Sequence, residues 1–144
     1  MRWQSITIAI ALMALAGCSQ SGMEIAQSPP LQLPQTSDMQ FEHDVIDSDK
    51  PVLVDFYASW CEACQKMEPA LKQIKDEYGS KIKIIRVDVD KNPALVERYK
   101  ITAIPHLMVF RNGDLQADIL GATTADRLSH ALDSSLASRG RETL

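Results

Sequence analysis

The chain has few cysteines and histidines, the residues that build structural zinc sites. Its 144 residues include three cysteines and three histidines. Cys61 and Cys64 form a single C-x-x-C pair, and the three histidines are scattered over different predicted elements as His43, His106 and His130. A structural zinc site needs four ligands, commonly from two such pairs. The sequence therefore argues against a zinc site, and no metal is expected.

An excess of charge of one sign is also missing. Fifteen basic and nineteen acidic side chains give a formal net charge of -4 at pH 7. A nucleic-acid-binding protein would be expected to carry a basic patch, so we expect no nucleic-acid partner. No internal repeat is visible, and a chain of this length has room for one domain, since a domain usually takes about 100 to 150 residues.

The chain lacks a long apolar run, but it has a short one at its start. Arg2 is followed by the sequence ITIAIALMALAG, which ends at Gly17. A run of about a dozen residues is shorter than the roughly 20 that span a bilayer. It matches the apolar region of a secretory signal peptide.

The end of this run carries a more specific signal. The sequence LAGC, Leu15 to Cys18, resembles the lipobox of bacterial lipoproteins. The resemblance implies removal of residues 1–17, lipidation of Cys18 and a location facing the periplasm or the cell exterior. Ser19, where inner-membrane lipoproteins carry Asp, would favour the outer membrane in a Gram-negative cell. The alternatives are an ordinary signal peptide that ends near a cysteine, or an uncleaved anchor.

The next stretch, residues 18–37, has the composition of a linker. It is rich in Ser, Gln and Pro and lacks helical periodicity, which predicts a flexible tether. The alternative left open is that Leu31 to Leu33 add a short edge strand. The folded domain is predicted to cover residues 38–144.

Strand and helix patterns alternate along this domain. Apolar runs, helical periodicity and turn signals predict a βαβ half followed by a ββα half. The result is an α/β fold in which a central mixed β-sheet is flanked by α-helices on both faces. The predicted elements are helix Phe41 to Asp47, strand Pro51 to Ala58, helix Cys61 to Gly79, strand Lys81 to Asp90, helix Asn92 to Lys100, a hairpin turning at Arg111 to Asp114, and helix Thr123 to Ser138. The second helix is expected to be interrupted at Pro69 and to have one apolar face, made of Met67, Leu71, Ile74 and Tyr78, and Asn92 is expected to cap the third.

The C-x-x-C pair lies where the first predicted strand gives way to a helix. Unpaired N–H groups and the helix dipole at that point favour a thiolate on Cys61. Cys64 lies one turn further on the same face, close enough to attack a mixed disulfide on Cys61. A purely structural disulfide is the alternative, but so short a loop gives little entropic stabilisation. Redox chemistry is therefore the favoured interpretation.

The chain resembles the thioredoxin family over most of this domain, from about Asp38 to Ala137. The resemblance is carried by VLVDFYASWCEACQKMEP, by RVDVDKNPALVERYKITAIPHLMVFRNGD, and by Gly121. It implies the thioredoxin fold and dithiol–disulfide exchange, with Cys61 as nucleophile and Cys64 as resolving cysteine. It implies no cofactor beyond the redox-active disulfide, and a monomer.

The resemblance also assigns roles around the pair. Asp55 matches the buried acid that assists proton transfer at the resolving cysteine, and burial would raise its pKa. Pro105 matches a cis-proline that faces the cysteines, with Ile104 offering backbone groups to a substrate. Trp60 and Gly121 complete the predicted substrate-binding set.

Each of these residues has a simpler interpretation. In this interpretation Asp55 is simply solvated at a strand end, Pro105 starts a strand, Trp60 is a packing residue, and Gly121 ends a strand. The chain also departs from the common family pattern, which affects partner choice and redox potential. The departures are Glu62 and Ala63 for Gly-Pro, Tyr57 for a frequent Trp, Arg86 for a usual Lys, and His106 for a common Thr, where a satisfied strand histidine is expected.

The sequence thus predicts a membrane-tethered thiol–disulfide oxidoreductase that reduces disulfides of exported proteins. Glu62 favours the reductant, because a carboxylate beside Cys61 opposes the thiolate. A membrane thiol protein is expected to supply the electrons. The alternatives are a disulfide oxidase or isomerase of the same fold, and a non-catalytic binding module.

Overall fold

The structure is a computed structural model that describes residues 31–137. The predicted signal peptide, Cys18 and residues 19–30 of the predicted tether lie outside the described residues. The elements in chain order are a short π-helix Glu42–Ile46, strand β1 Val52–Tyr57, helix α1 Glu62–Tyr78, a 3₁₀ turn Gly79–Lys81, strand β2 Lys83–Asp88, helix α2 Pro93–Arg98, strands β3 His106–Arg111 and β4 Asp114–Leu120, and helix α3 Ala125–Ala137.

The four strands form one mixed sheet in the order β2-β1-β3-β4. Strand β1 pairs in parallel with β2 and antiparallel with β3, and β3 pairs antiparallel with β4. In this register Asp55 of β1 lies between Arg86 of β2 and Leu107 of β3. The central strand therefore places an acid in the middle of the sheet, with a cation directly beside it.

Helices cover both faces of the sheet, as the sequence predicted. On one face α1 and α3 pack on the sheet through an apolar cluster that includes Leu53, Leu71 and Leu132. On the other face the π-helix and α2 pack through a second cluster that includes Phe41, Phe56 and Phe110. The alternation of side chains along β1 divides the strand between these two cores.

Helix α1 is continuous, although Pro69 lies inside it. A proline there removes one backbone hydrogen bond, and the sequence predicted an interruption. The residues on the inner face, Met67, Leu71, Ile74 and Tyr78, are all buried as predicted. Packing of the residues on both sides of Pro69 thus outweighs the cost of the lost hydrogen bond, because tertiary packing supplies most of the stability of helices in proteins.

Helix α2 begins at the predicted place, but with a different cap. Asn92 makes no side-chain cap hydrogen bond to the helix, and its amide donates to the Asp88 carbonyl at 2.8 Å. The Leu95 N–H in the first turn is instead bonded by the Asp38 carboxylate at 3.0 Å. The predicted Asn cap is therefore replaced by an acid from a distant part of the chain.

The hairpin between β3 and β4 turns at Asn112 and Gly113, as the sequence predicted. Both residues have positive φ, 50° and 82°. Two-residue hairpin turns of this kind require left-handed backbone at both positions, and Asn-Gly adopts it most readily. The turn brings β4 back beside β3 and leads to Gly121.

Residues 31–36, which the sequence placed in the tether, pack against the domain. Gln35 forms an isolated parallel bridge with Arg86, with Arg86 N donating to Pro34 O at 2.9 Å and Thr36 N donating to Arg86 O at 3.1 Å. The side chains of Leu31 and Leu33 pack on the α1–α3 core. This short segment covers the β2 edge of the sheet through the single bridge at Gln35, and residues 31–33, for which the sequence left an edge strand open, form no strand.

Candidate active site

Cys61 and Cys64 form a disulfide at the start of α1, with their Cα atoms 5.3 Å apart. Cys61 is the N-cap residue of the helix, and its Sγ accepts a hydrogen bond from Cys64 N at 3.1 Å. Such a donor, together with the helix dipole, stabilises negative charge on Cys61 when the pair is reduced. The strand-to-helix junction therefore activates the cysteine that the sequence assigned as nucleophile.

Both cysteines are largely enclosed by protein. Cys61 is 6% exposed and Cys64 is 2% exposed, so the predicted resolving cysteine is the more buried of the two. They form a small apolar cluster with Ala58, against which Val89 and Ile104 pack. An attacking cysteine that is slightly exposed and a resolving cysteine that is more buried suit a reaction in two steps.

Asp55 is 1% exposed and lies on β1, six positions before Cys61 in the sequence. Burial raises its pKa from 3.8 to about 6, although Arg86 acts in the opposite direction. Its Oδ1 atom has no hydrogen-bond partner among the described residues. A buried carboxyl group with a free oxygen and a pKa near neutrality can accept a proton under physiological conditions.

Arg86 forms the polar surroundings of this acid. Its Nε donates to Asp55 Oδ2 at 3.0 Å, its Nη1 lies 3.3 Å from Glu68 Oε1, and its guanidinium lies 3.8 Å from the centre of the Tyr57 ring. The sequence noted Arg86 and Tyr57 only as departures from the family pattern. Glu68 was missed, because its spacing in α1 marks it simply as a polar position of an amphipathic helix.

The residues predicted to contact substrate converge near the cysteines. The Ile104–Pro105 peptide bond is cis, as the resemblance implied, and the Ile104 side chain packs on the cysteine cluster. Gly121 N donates to Pro105 O at 2.8 Å. Gly121 has a φ of +83°, which side-chain-bearing residues rarely adopt. It therefore holds the loop before β3 in place from the end of β4.

Trp60 is 68% exposed, and its indole Nε1 donates to Asp90 Oδ2 at 2.8 Å. The tryptophan lines a shallow groove of about 210 Å³ together with Val89, Ile101 and Ile104. A larger cavity of about 580 Å³ lies near Leu33 and Gly79 and includes none of the predicted site residues. The chemistry of the cysteines makes the small groove the better candidate for substrate binding.

His106 follows Pro105 and is buried, with its Nε2 bonded to the Asp118 carboxylate. Its Nδ1 has no partner within residues 31–137. In the described part of the chain, one of the two ring nitrogens of His106 is therefore hydrogen-bonded and the other is not. It pairs with Phe56 in the sheet register, so it belongs to the face opposite Asp55.

In the described part of the chain, no three His, Cys, Asp or Glu side chains come together as a metal site would require. Between residues 31 and 137, no helix has the length and apolar character needed to cross a membrane.

A disulfide at a strand-to-helix junction, preceded on the strand by a buried acid and set on a four-stranded mixed sheet, is the arrangement of a thiol–disulfide exchange protein. Comparison with known proteins agrees. The family model described as Thioredoxin matches residues 32–134. Thioredoxin from Acidithiobacillus ferridurans is 43% identical over 100 residues, which cover 69% of this chain and 93% of that protein.

Thioredoxin 1 from Nostoc sp. is 40% identical over 102 residues, covering 71% of this chain and 95% of that protein. Thioredoxin from Synechocystis sp. is 39% identical over 100 residues, covering 69% of this chain and 94% of that protein. The chain belongs to the thioredoxin family. It is a thiol–disulfide oxidoreductase, and protein disulfides are its substrate class.

Proposed function

We propose that this protein is a membrane-tethered reductase that acts on disulfides of exported proteins through Cys61 and Cys64. The observation that carries the proposal is the placement of the Cys61–Cys64 pair at the N-terminus of α1, together with a buried Asp55 of raised pKa on the strand that leads to it. Members of the thioredoxin family need no added cofactor, so the two sulfur atoms carry the electrons.

The reaction begins when the Cys61 thiolate attacks a substrate disulfide. One substrate sulfur leaves as a thiolate and takes up a proton, and the other becomes joined to Cys61. Cys64 then gives its proton to the Asp55 carboxylate and attacks the Cys61 sulfur. The second substrate sulfur leaves and is protonated in turn. Two electrons have passed from the two cysteines to the substrate, and the disulfide seen in the structure is the product.

Substrate would lie across the groove beside Trp60. The backbone of Ile104, before the cis-proline, is the group best placed to bond an extended peptide, since Ile104 packs on the cysteines. Gly121 supports this loop through its bond to Pro105 O. An apolar groove with an exposed aromatic rim accepts many sequences, as a general reductase requires.

Glu62 is one argument for the direction of electron flow. A carboxylate next to Cys61 opposes the thiolate, which makes the reduced form a better electron donor. In the structure Glu62 Oε1 lies 2.6 Å from Lys66 Nζ, and both side chains are largely exposed. Lys66 therefore offsets part of the charge, and the effect of Glu62 on the redox potential is expected to be small.

The proposed location of the protein rests on the LAGC sequence. A lipid on Cys18 would hold the domain at a membrane surface outside the cytoplasm, with the outer membrane favoured in a Gram-negative cell. NADPH is not available there, so a membrane thiol protein is the electron donor that fits this location. The domain would act as a monomer.

The activity is tested by the reduction of insulin disulfides by the purified full-length protein, with dithiothreitol as the electron source. The wild-type protein should accelerate the reaction, and Cys61→Ser should abolish the acceleration. Equal turnover by Cys61→Ser would contradict the proposed site. No turnover by the wild-type protein would favour the non-catalytic binding module.

A further inference from the structure

The Arg86 guanidinium lies between two carboxylates of different exposure. On one side is Asp55, whose side chain is 2% exposed, and on the other is Glu68, whose side chain is 31% exposed. From these contacts we propose that Glu68 is a positioning residue for proton transfer at Asp55: it holds Arg86 and offsets its charge, so that Arg86 favours the ionised form of Asp55 less strongly. This inference rests on the function proposed above and deepens it.

The geometry separates this contact from an ordinary surface ion pair. Surface pairs are mobile and contribute little, because water screens both charges. The Arg86 side chain is only 9% exposed and is fixed by three contacts, with Asp55, with Glu68 and with the Tyr57 ring. A cation held in this way in a poorly solvated site cannot turn away from one partner to favour the other.

The charges show why the second carboxylate matters. A buried Arg facing Asp55 lowers the pKa of Asp55, against the larger effect of burial, and so weakens Asp55 as a base toward the Cys64 thiol. Glu68 adds a negative charge on the far side of the same guanidinium, and its effect on the pKa of Asp55 is upward. Arg86 itself stays protonated, so the arrangement acts through electrostatics and does not relay a proton.

Other groups around Asp55 do not supply this effect. On the same face of β2, Asp88 is paired with Lys91 at 3.0 Å. Leu107, the neighbour of Asp55 on β3, is apolar. The two cysteines do not titrate while they form the disulfide. Segment 31–36 is hydrogen-bonded to the backbone of Arg86 through Pro34 O and Thr36 N.

The test is an NMR titration of the Asp55 carboxyl carbon in the oxidised full chain, with Cys18→Ser in every variant to exclude lipid and a third thiol. Glu68→Gln keeps an oxygen acceptor for Arg86 but removes the charge. The midpoint of the Asp55 titration should fall by about half a pH unit. The pH profile of insulin reduction should shift in the same direction.

The matched control is Asp76→Asn, which removes one negative charge from the same helix at an exposed pair with Lys72. It should leave the Asp55 midpoint unchanged. Glu68→Asp keeps the charge and should shift the midpoint by less than half as much as Glu68→Gln. The proposal is overturned if Glu68→Gln behaves like Asp76→Asn, or if Glu68→Asp shifts the midpoint as far as Glu68→Gln.

The two readouts also separate this inference from the function on which it rests. The NMR titration needs no turnover, so it reports on Glu68 even in an inactive protein. A wild-type protein without insulin reductase activity would count against the proposed function alone. A normal activity with an unmoved Asp55 midpoint in Glu68→Gln would count against the role of Glu68 alone.

Discussion

Arg86 Nε lies 3.0 Å from Asp55 Oδ2, and yet the pKa of Asp55 is raised to about 6. An ion pair lowers the pKa of its acid, but removal from water raises it, and at this site the removal from water is the larger effect. Asp55 therefore exchanges protons close to neutral pH. A fully exposed Asp beside the same arginine would remain ionised and would be a poor base.

Replacement of Asp55 by Asn should slow the reaction without destroying the site. The amide cannot accept the Cys64 proton, so the release of the mixed disulfide should become at least about tenfold slower near pH 7. Stopped-flow measurement of insulin reduction over a pH series checks this. Rates identical to wild type at every pH would remove Asp55 from the mechanism.

The same variant should change the pH dependence of stability. The raised pKa means that the folded state holds this proton more tightly than the unfolded state, so the contribution of Asp55 to stability is present below about pH 4 and is lost as the pH rises through about 6. Relative to wild type, Asp55→Asn should gain up to about 3 kcal/mol over that range. Urea unfolding of both proteins at pH 4 and pH 7 measures the difference in their free energies of unfolding. A difference that does not change with pH would contradict this prediction.

The two cysteines should behave differently in trapping experiments. Cys64→Ser lacks the sulfur that resolves the intermediate, so mixed disulfides with substrate should accumulate on Cys61. Cys61→Ser should trap nothing, because Cys64 is 2% exposed. Non-reducing electrophoresis followed by mass spectrometry identifies the trapped proteins. Equal trapping by both variants would contradict the assignment of Cys61 as nucleophile and Cys64 as resolving cysteine.

The redox potential should be that of a reductant. Equilibration of the purified protein with glutathione should give a value below about -220 mV, and a value above about -180 mV would favour the oxidase or isomerase. Glu62→Gln should raise the potential, because it removes a charge that opposes the thiolate. Since Lys66 lies 2.6 Å from Glu62, the increase should be about 10 mV or less.

Removal of the segment that covers the β2 edge should destabilise the domain. A chain that begins at residue 37 loses two backbone hydrogen bonds to Arg86 and the packing of Leu31 and Leu33. The free energy of unfolding should fall by about 2 to 4 kcal/mol relative to a chain that begins at residue 31. Urea unfolding of both chains measures it, and equal stability would show that the segment contributes nothing.

The proposed location of the protein is tested by substitution of Cys18. Cys18→Ala should abolish labelling by a radioactive fatty acid, and it should either block processing or move the protein from the membrane fraction to the soluble exported fraction. A Ser19→Asp variant serves as a control, since it should keep the lipid while changing the membrane in a Gram-negative cell. Recovery of the unmutated protein in the cytosol would contradict the proposed location.

Local sequence signals were sufficient for most of the fold. The apolar run of β1, the inner face of α1 and the Asn112–Gly113 turn all formed as predicted, because periodicity and turn chemistry depend on residues close together in the chain. The C-x-x-C pair was equally clear, since its position at the start of a helix follows from the strand before it. The same signals led to the family resemblance.

The tertiary structure decided the contacts between distant parts of the chain. Asp38 bonds to the first turn of α2 across 57 positions, and Glu68 reaches Arg86 across 18. The composition of residues 31–36 is that of a linker, yet the open edge of β2 gave this segment backbone partners. Sequence patterns record which face of an element is apolar, but they do not record which polar side chains meet once the elements pack. For this reason the cysteines and Asp55 could be named from the sequence, whereas Glu68 became visible only when α1 was folded against β2.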